Sequence, residues 1–164
     1  MVAALAMAFS TGSASNAEEK TDDVVVPQAT SYVGDTCGSA NNRYCLRLHY
    51  GPYNSTTRTA TGSCHVTNRS SIPNHWGVIQ GTEIVRYVFR ADLNGYGCGH
   101  VEGNGYALSA AVASYRNVDC KAHQIYAGTS GQGHSQMLGI GAVGALNSGV
   151  LRKNNSTYAQ GGCG

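Results

Sequence analysis

Residues 123–138 read HQIYAGTSGQGHSQML. Gly128, Gly131 and Gly133 lie close together between two apolar runs, and how they are read decides the fold. A phosphate loop needs a strand, glycines at fixed offsets and then a helix whose N-terminus meets the anion. The spacing here is not G-x-G-x-x-G, no Gly-Lys-Ser/Thr follows, and HSQMLGIGAVG is a poor helix. Apolar residues on both sides argue against a linker. A folded β-hairpin remains: one glycine adopts the positive φ that a Cβ would penalise, an aromatic lies across the fold, and a later hydroxyl caps it.

The rest of the chain supports a β reading. Short runs rich in β-branched and aromatic residues recur between turn signals: YCLRLHY (44–50), TGSCHV (61–66), EIVRYVFR (83–90), HQIYAG (123–128), SQMLGI (135–140) and GVLRKN (149–154). NGYGCG (94–99) is a turn-rich interruption, and YALSAAVASY (106–115) fits a helix or a strand. About eight short strands at near-regular spacing predict an all-β sandwich or barrel. Two segments share a layout: CLRLHYGPYNS to AAVASY, with a long insertion, and HQIYAGTSGQG to NNSTY. Such internal similarity is what a duplicated supersecondary unit leaves.

With 164 residues, a single domain is expected. Only 12% of residues are charged and the net charge is +2, with the basic residues scattered, which excludes a nucleic-acid footprint. Six cysteines, Cys37, Cys45, Cys64, Cys98, Cys120 and Cys163, predict three disulfides in an oxidising compartment. Fifteen connectivities stay open. Residues 1–17 read as a truncated signal peptide: the apolar MVAALAMAF, a small polar stretch, and an A-x-A-like site before Glu18. Residues 18–34 read as a flexible lead-in, and 35–164 as one β domain of two units, about 44–115 and 123–158. The apolar run is too short to span a bilayer, so the expectation is a secreted monomer without a membrane partner.

The series Tyr126, Gly133, Leu146, Thr157 resembles the Greek-key signature of the βγ-crystallin-like fold, Y-x-x-x-x-[FY]-x-G followed by a Ser. Gly131 stands where that pattern has its second aromatic. CGSANNRYCLRLHY (37–50) is similar to the opening of secreted actinobacterial proteins of the peptidase inhibitor I36 type, which begin with a local Cys pair, and this resemblance implies a local Cys37–Cys45 bridge. The resemblance implies a disulfide-stapled Greek-key sandwich in which Gly133 takes the folded turn and Thr157 caps it, with Ser114 at the matching place in the first unit. It further implies steric inhibition of a secreted protease. Gly144 is expected in an open loop. Calcium sites of that family need N/D-N/D-x-x-S/T-S, but aligning it on Thr157 puts Lys153 and Tyr158 at ligand positions, and aligning it on Ser114 puts Ala110 and Ala111 there. Calcium wants several oxygen ligands, so no metal or cofactor is expected.

Asn74, His75 and Trp76 form a candidate recognition loop, since aromatic anchors dominate recognition surfaces; the competing role for Trp76 is to close the core. Cys64-His65, Cys98-Gly99-His100 and Cys120-Lys121-Ala122-His123 lack regular zinc spacing. The alternatives to a binding protein are a small hydrolase acting through Cys/His or carboxylates, which requires an unpaired thiol or paired acids, and a structural or stress-related secreted protein.

Overall fold

The computed structural model describes residues 29–33, 45–93 and 98–163. The leader 1–17 and most of the lead-in lie outside them. The chain is all-β, and no α-helix occurs among the described residues. In chain order the strands are β1 (Ala29–Val33), β2 (Leu46–His49), β3 (Tyr53–Asn54), β4 (Thr59–Ala60), β5 (Cys64–Thr67), β6 (Ser71–Ile72), β7 (Val78–Gln80), β8 (Glu83–Tyr87), β9 (Ser114–Asn117), β10 (Ala122–Tyr126), β11 (Ser135–Leu138), β12 (Val143–Ala145) and β13 (Ser156–Gln160). A 3-10 turn occupies Thr129–Gly131.

Two four-stranded sheets carry the architecture, ordered β12-β9-β2-β5 and β11-β10-β13-β6. They share one core. Leu46 and Leu48 of β2 and Tyr115 of β9 meet Ile125 of β10, Leu138 of β11 and Ile72 of β6, with Phe89, Leu108, Val112, Leu146 and Val150 filling the remainder. Strand β10 shows the half-buried alternation expected of a sheet with one covered face. Strand β2 is buried at every position: Leu46 and Leu48 face the shared core, and Thr59, Ala60 and Thr61 of the β3–β4 hairpin lie over Arg47 and His49 on its other face.

The strands fall into two repeats. Within β2, β5, β6, β9 and within β10, β11, β12, β13, the first, second and fourth strands pair in one sheet. The third crosses to the other sheet and pairs with the fourth strand of the other repeat: β6 with β13, β12 with β9. Hydrogen bonds obey the same exchange. Ala110 N–H donates to Asn154 O at 2.8 Å, and Arg152 N–H donates to Val112 O at 3.1 Å. Ala110 and Arg152 are both left-handed, at φ 55° and 51°. The repeats differ chiefly between their third and fourth strands, where the first carries an insertion from β6 to β9. This insertion contains β7 and β8, which form a separate three-stranded sheet with β1 in the order β1-β8-β7. Residues 29–33 therefore pair as a strand, parallel to β8, although their sequence reads as lead-in.

Both repeats fold their first hairpin by one device. In the second, Gly128 N–H donates to Gln132 O at 2.8 Å, and Gly133 follows at φ 80°. In the first, Gly51 N–H donates to Thr61 O at 3.0 Å, and Gly62 follows at φ 78°. The cap is Ser156, not Thr157. Ser156 Oγ donates to Gly128 O at 2.6 Å and accepts from Gly131 N–H at 3.0 Å. Ser114 holds the same place in the first repeat and donates to Gly51 O at 2.6 Å. The reason is register: Ser156 pairs with Tyr126 and Thr157 with Ile125, so alternation turns Ser156 to the hairpin and Thr157 inward. There its Oγ1 lies 2.7 Å from His75 Nε2.

Two further expectations change. Gly144 lies in β12 opposite Tyr115, not in an open loop. Residues 149–154 form turns rather than a strand, because Val150 N–H and Leu151 N–H both return to Asn147 O. Ser156→Ala is expected to cost about 1–3 kcal/mol, since it strands a half-buried carbonyl and a half-buried amide together. Ser114→Ala, which loses one bond, should cost less. Urea denaturation of the two variants checks the order, and a loss below about 0.5 kcal/mol for Ser156→Ala would deny the cap its role.

Candidate functional site

The candidate recognition loop at 74–76 turns inward. His75 is fully buried, its N–H donates to Asn155 O at 2.7 Å, and its ring meets Thr157. Burial pushes its pKa down to about 3, with His65 adding to the fall and Asn154 opposing it. Asn74 spends its side chain on the local turn, accepting from Trp76 N–H at 2.9 Å. The half-buried Trp76 lies under the Arg86 guanidinium, 3.5 Å from the ring centroid. This segment is a plug between the insertion and β13, held by its own contacts.

The insertion presents a different loop, residues 98–106. Cys98 is buried at its base and bridged to Cys64 on β5. Ser63 then clamps the loop from β5's leading edge: its N–H and its Oγ both donate to Glu102 O, at 2.9 and 2.7 Å. Asn104 N–H closes a turn onto Val101 O at 3.0 Å, and Asn104 Oδ1 accepts from Ala91 N–H at 2.9 Å. Gly105 N–H and Tyr106 O bond to Phe89 at 2.9 and 3.0 Å. Between these anchors His100, Val101 and Glu102 face solvent, and Val101 is 83% exposed. The result is a braced, convex loop with an aliphatic side chain at its tip. The turn-rich interruption read in the sequence, NGYGCG (94–99), overlaps only the start of this loop. The sole signal was the Cys98-Gly-His-Val order, and its meaning depends on the partner of Cys98.

The cysteines also bear on the hydrolase alternative. Cys64 pairs with Cys98 and Cys120 with Cys163, while Cys45 is disulfide-bonded and the Cys37 end of the guessed local bridge lies outside the described residues. None of these five described cysteines is a thiol nucleophile. Asp119 gathers beside the sulfurs of Cys120 and Cys163, but disulfide sulfurs are not thiolate ligands. A buried Asp119–His123 pair at 2.8 Å resembles half of a catalytic relay. Burial lowers the pKa of His123 against the opposing pull of Asp119, and among the described residues His123 Nδ1 has no hydrogen-bond partner. The pair braces β10 against the Asp119 turn, where Asp119 Oδ1 also accepts from Lys121 N–H at 3.3 Å.

Of the residues singled out in the sequence, Tyr126, Gly133 and Ser114 belong to the hairpin folds, while Thr157 and His75 form one buried contact. Tyr126 packs edge-on against Tyr158 with ring centroids 5.8 Å apart. Among the described residues no helix is long and apolar enough to cross a membrane. Comparison with protein-family models, with curated proteins and with solved structures finds no match to this chain.

Proposed function

We propose that this chain is a secreted, βγ-crystallin-like Greek-key binding protein that inhibits an extracellular protease sterically through loop 98–106. The exchange of third strands between the repeats supports the Greek-key reading, and the disulfides fit folding in an oxidising compartment. The observation that carries the function is Val101: a highly exposed aliphatic side chain on a loop fixed at its base by a disulfide and beside the tip by a doubly accepted carbonyl. Apolar side chains on mobile loops bind weakly because ordering costs free energy, and a braced loop has met that cost during folding. A β-branched aliphatic tip suits a small apolar specificity pocket rather than an acidic one that takes Lys or Arg.

The test is inhibition of purified extracellular serine, cysteine and metalloproteases by the oxidised protein. The expected result is inhibition strongest against serine proteases that prefer small aliphatic residues, and weakened at least about ten-fold by Val101→Asp, which sets a charge in an apolar pocket. If no protease is inhibited, or if Val101→Asp inhibits as well as the parent, the proposal fails.

A further inference from the structure

Strand alternation fixes what the outer face of the β10–β13 ladder carries. Tyr126 stands opposite Ser156, and Tyr158 and Gln160 follow that serine on the same face of β13. The Tyr126 and Tyr158 rings meet edge-on, their planes 87° apart. Together with Ser130 and Gly131 of the folded turn, and with Ala159 and Gln160, they line a cleft of about 370 Å³. That volume is at the small end of protein ligand sites, about 300–1,000 Å³. No Asp, Glu, Lys, Arg or His is among the described residues lining it.

The turn holds this cleft open. Gly131 has φ 76°, and a Cβ there would lie 3.5 Å from Tyr158 Cε2 and 3.9 Å from Tyr126 Cζ. Glycine leaves bare the ring atoms that a side chain would cover. Ser130 precedes it at φ 53°, and Gln132 N–H closes the turn onto Thr129 O at 3.1 Å. Tight turns with two left-handed central residues favour Asn, Asp or Gly at the first of them, so a serine there is strained. Two bonds hold it in place: Ser130 N–H donates to Pro73 O at 2.7 Å, and Gly131 N–H donates to Ser156 Oγ at 3.0 Å. The cleft wall is fixed before a ligand arrives, which lowers the ordering cost of binding.

The side-chain polar groups of the cleft are the second observation. The Tyr126 and Tyr158 hydroxyls, the Ser130 hydroxyl and the Gln160 amide have no hydrogen-bond partner among the described residues. Each of these groups can both donate and accept. The cleft therefore offers aromatic carbon together with neutral, two-way hydrogen bonding.

We infer that this cleft binds a neutral carbohydrate, one pyranose unit of a β-linked glycan. A pyranose with equatorial hydroxyls shows axial C–H bonds on its flat faces, and their partial positive charge suits the negative face of an aromatic ring. The hydroxyls around its rim, each a donor and an acceptor, match the unpartnered groups of the cleft. An ion would find no countercharge here, and desolvating an unpaired charge is costly. The strain at Ser130 acquires a reason, since glycine would fit the turn but present no hydroxyl. This inference does not rest on protease inhibition, and its test contains no protease.

Cellotriose, tri-N-acetylchitotriose, sorbitol and a proline-rich peptide are titrated separately into the oxidised protein, while the Tyr126 and Tyr158 ring signals are followed by NMR. A saturable shift with at least one trisaccharide is expected, and none with sorbitol, which has hydroxyls but no ring. The peptide is included because proline-rich segments also dock on aromatic grooves. Tyr158→Ala is expected to weaken trisaccharide binding about ten-fold through loss of the ring face. Gln160→Ala, at an exposed position, should weaken it about three-fold, as loss of one neutral hydrogen bond does, and it decides the matter if Tyr158→Ala does not fold. Ser130→Gly separates binding from folding: it should weaken binding about three-fold yet raise the urea midpoint, because glycine adopts this φ without strain. No saturable shift with either trisaccharide, an equal shift with sorbitol, a shift with the peptide alone, or a Gln160→Ala variant that binds as the parent does would overturn the inference.

Discussion

Gly62→Ala is expected to destabilise the protein by about 3–5 kcal/mol, more than the same change at any other left-handed glycine of the two hairpin folds. Two terms add. At φ 78° an L side chain is strained, worth about 1–2 kcal/mol. In addition, a Cβ at Gly62 would lie 2.6 Å from Gly51 N and 3.1 Å from its Cα. These are backbone atoms and cannot rotate away, so the hairpin must separate from β2. Two controls isolate the terms. Gly81 has φ 60° and open space around its Cβ direction, so Gly81→Ala reports strain alone. Gly133 has φ 80° with its nearest contact at an ordinary 3.5 Å, so Gly133→Ala should resemble Gly81→Ala. Denaturant unfolding with the disulfides intact measures all three. Equal losses would mean that the close approach of Gly51 and Gly62 yields freely, and the shared hairpin device would lose its physical basis.

Acid is expected to remove several kcal/mol of stability between pH 6.5 and about 3. His75 and His49 have pKa values near 3 and 4 in the folded protein, depressed first by burial, against about 6.5 when unfolded. Below pH 6.5 the unfolded chain takes up protons that the folded one refuses, so stability falls with pH. The loss ends near pH 4 for His49 and near pH 3 for His75, and above pH 6.5 it is absent. Within the window each histidine contributes a slope of up to about 1.4 kcal/mol per pH unit. His123 shifts in the same direction. The exposed Arg90–Asp92 pair, which holds the Asp92 carboxyl below its usual range, adds little because solvent screens it. Urea midpoints at pH 7, 5.5 and 4 should decline in step, and His75→Gln should flatten the decline by about one proton. A midpoint at pH 4 equal to that at pH 7 would contradict the neutral, buried state of these rings.

EIVRYVFR and HQIYAG contain β8 and nearly all of β10, because a run of β-branched and aromatic residues is a local property. Strands of two or three residues, such as β6 and β12, carry no such signal and exist through their partners; Gly144 reads as loop and pairs as strand for this reason. Gly133 lies at a short, regular distance from Tyr126. Its counterpart Gly62 is separated from Gly51 by the longer excursion that carries β3 and β4, and this hides the repeat. Thr157 and Ser156 both look like caps in NNSTY. A shift of one residue reverses the face of a strand, so only the pairing of β13 with β10 chooses between them.

All-β character, the even set of cysteines and the glycine-folded hairpin after Tyr126 are local or compositional facts, and the chain alone determines them. Loop 98–106 is braced because Cys64 reaches Cys98 and Ser63 reaches Glu102. Those partners are far apart along the chain, and no local propensity encodes which of them meet. Their meeting is decided by the exchange of strands between two sheets around one core, and that is a property of the tertiary structure.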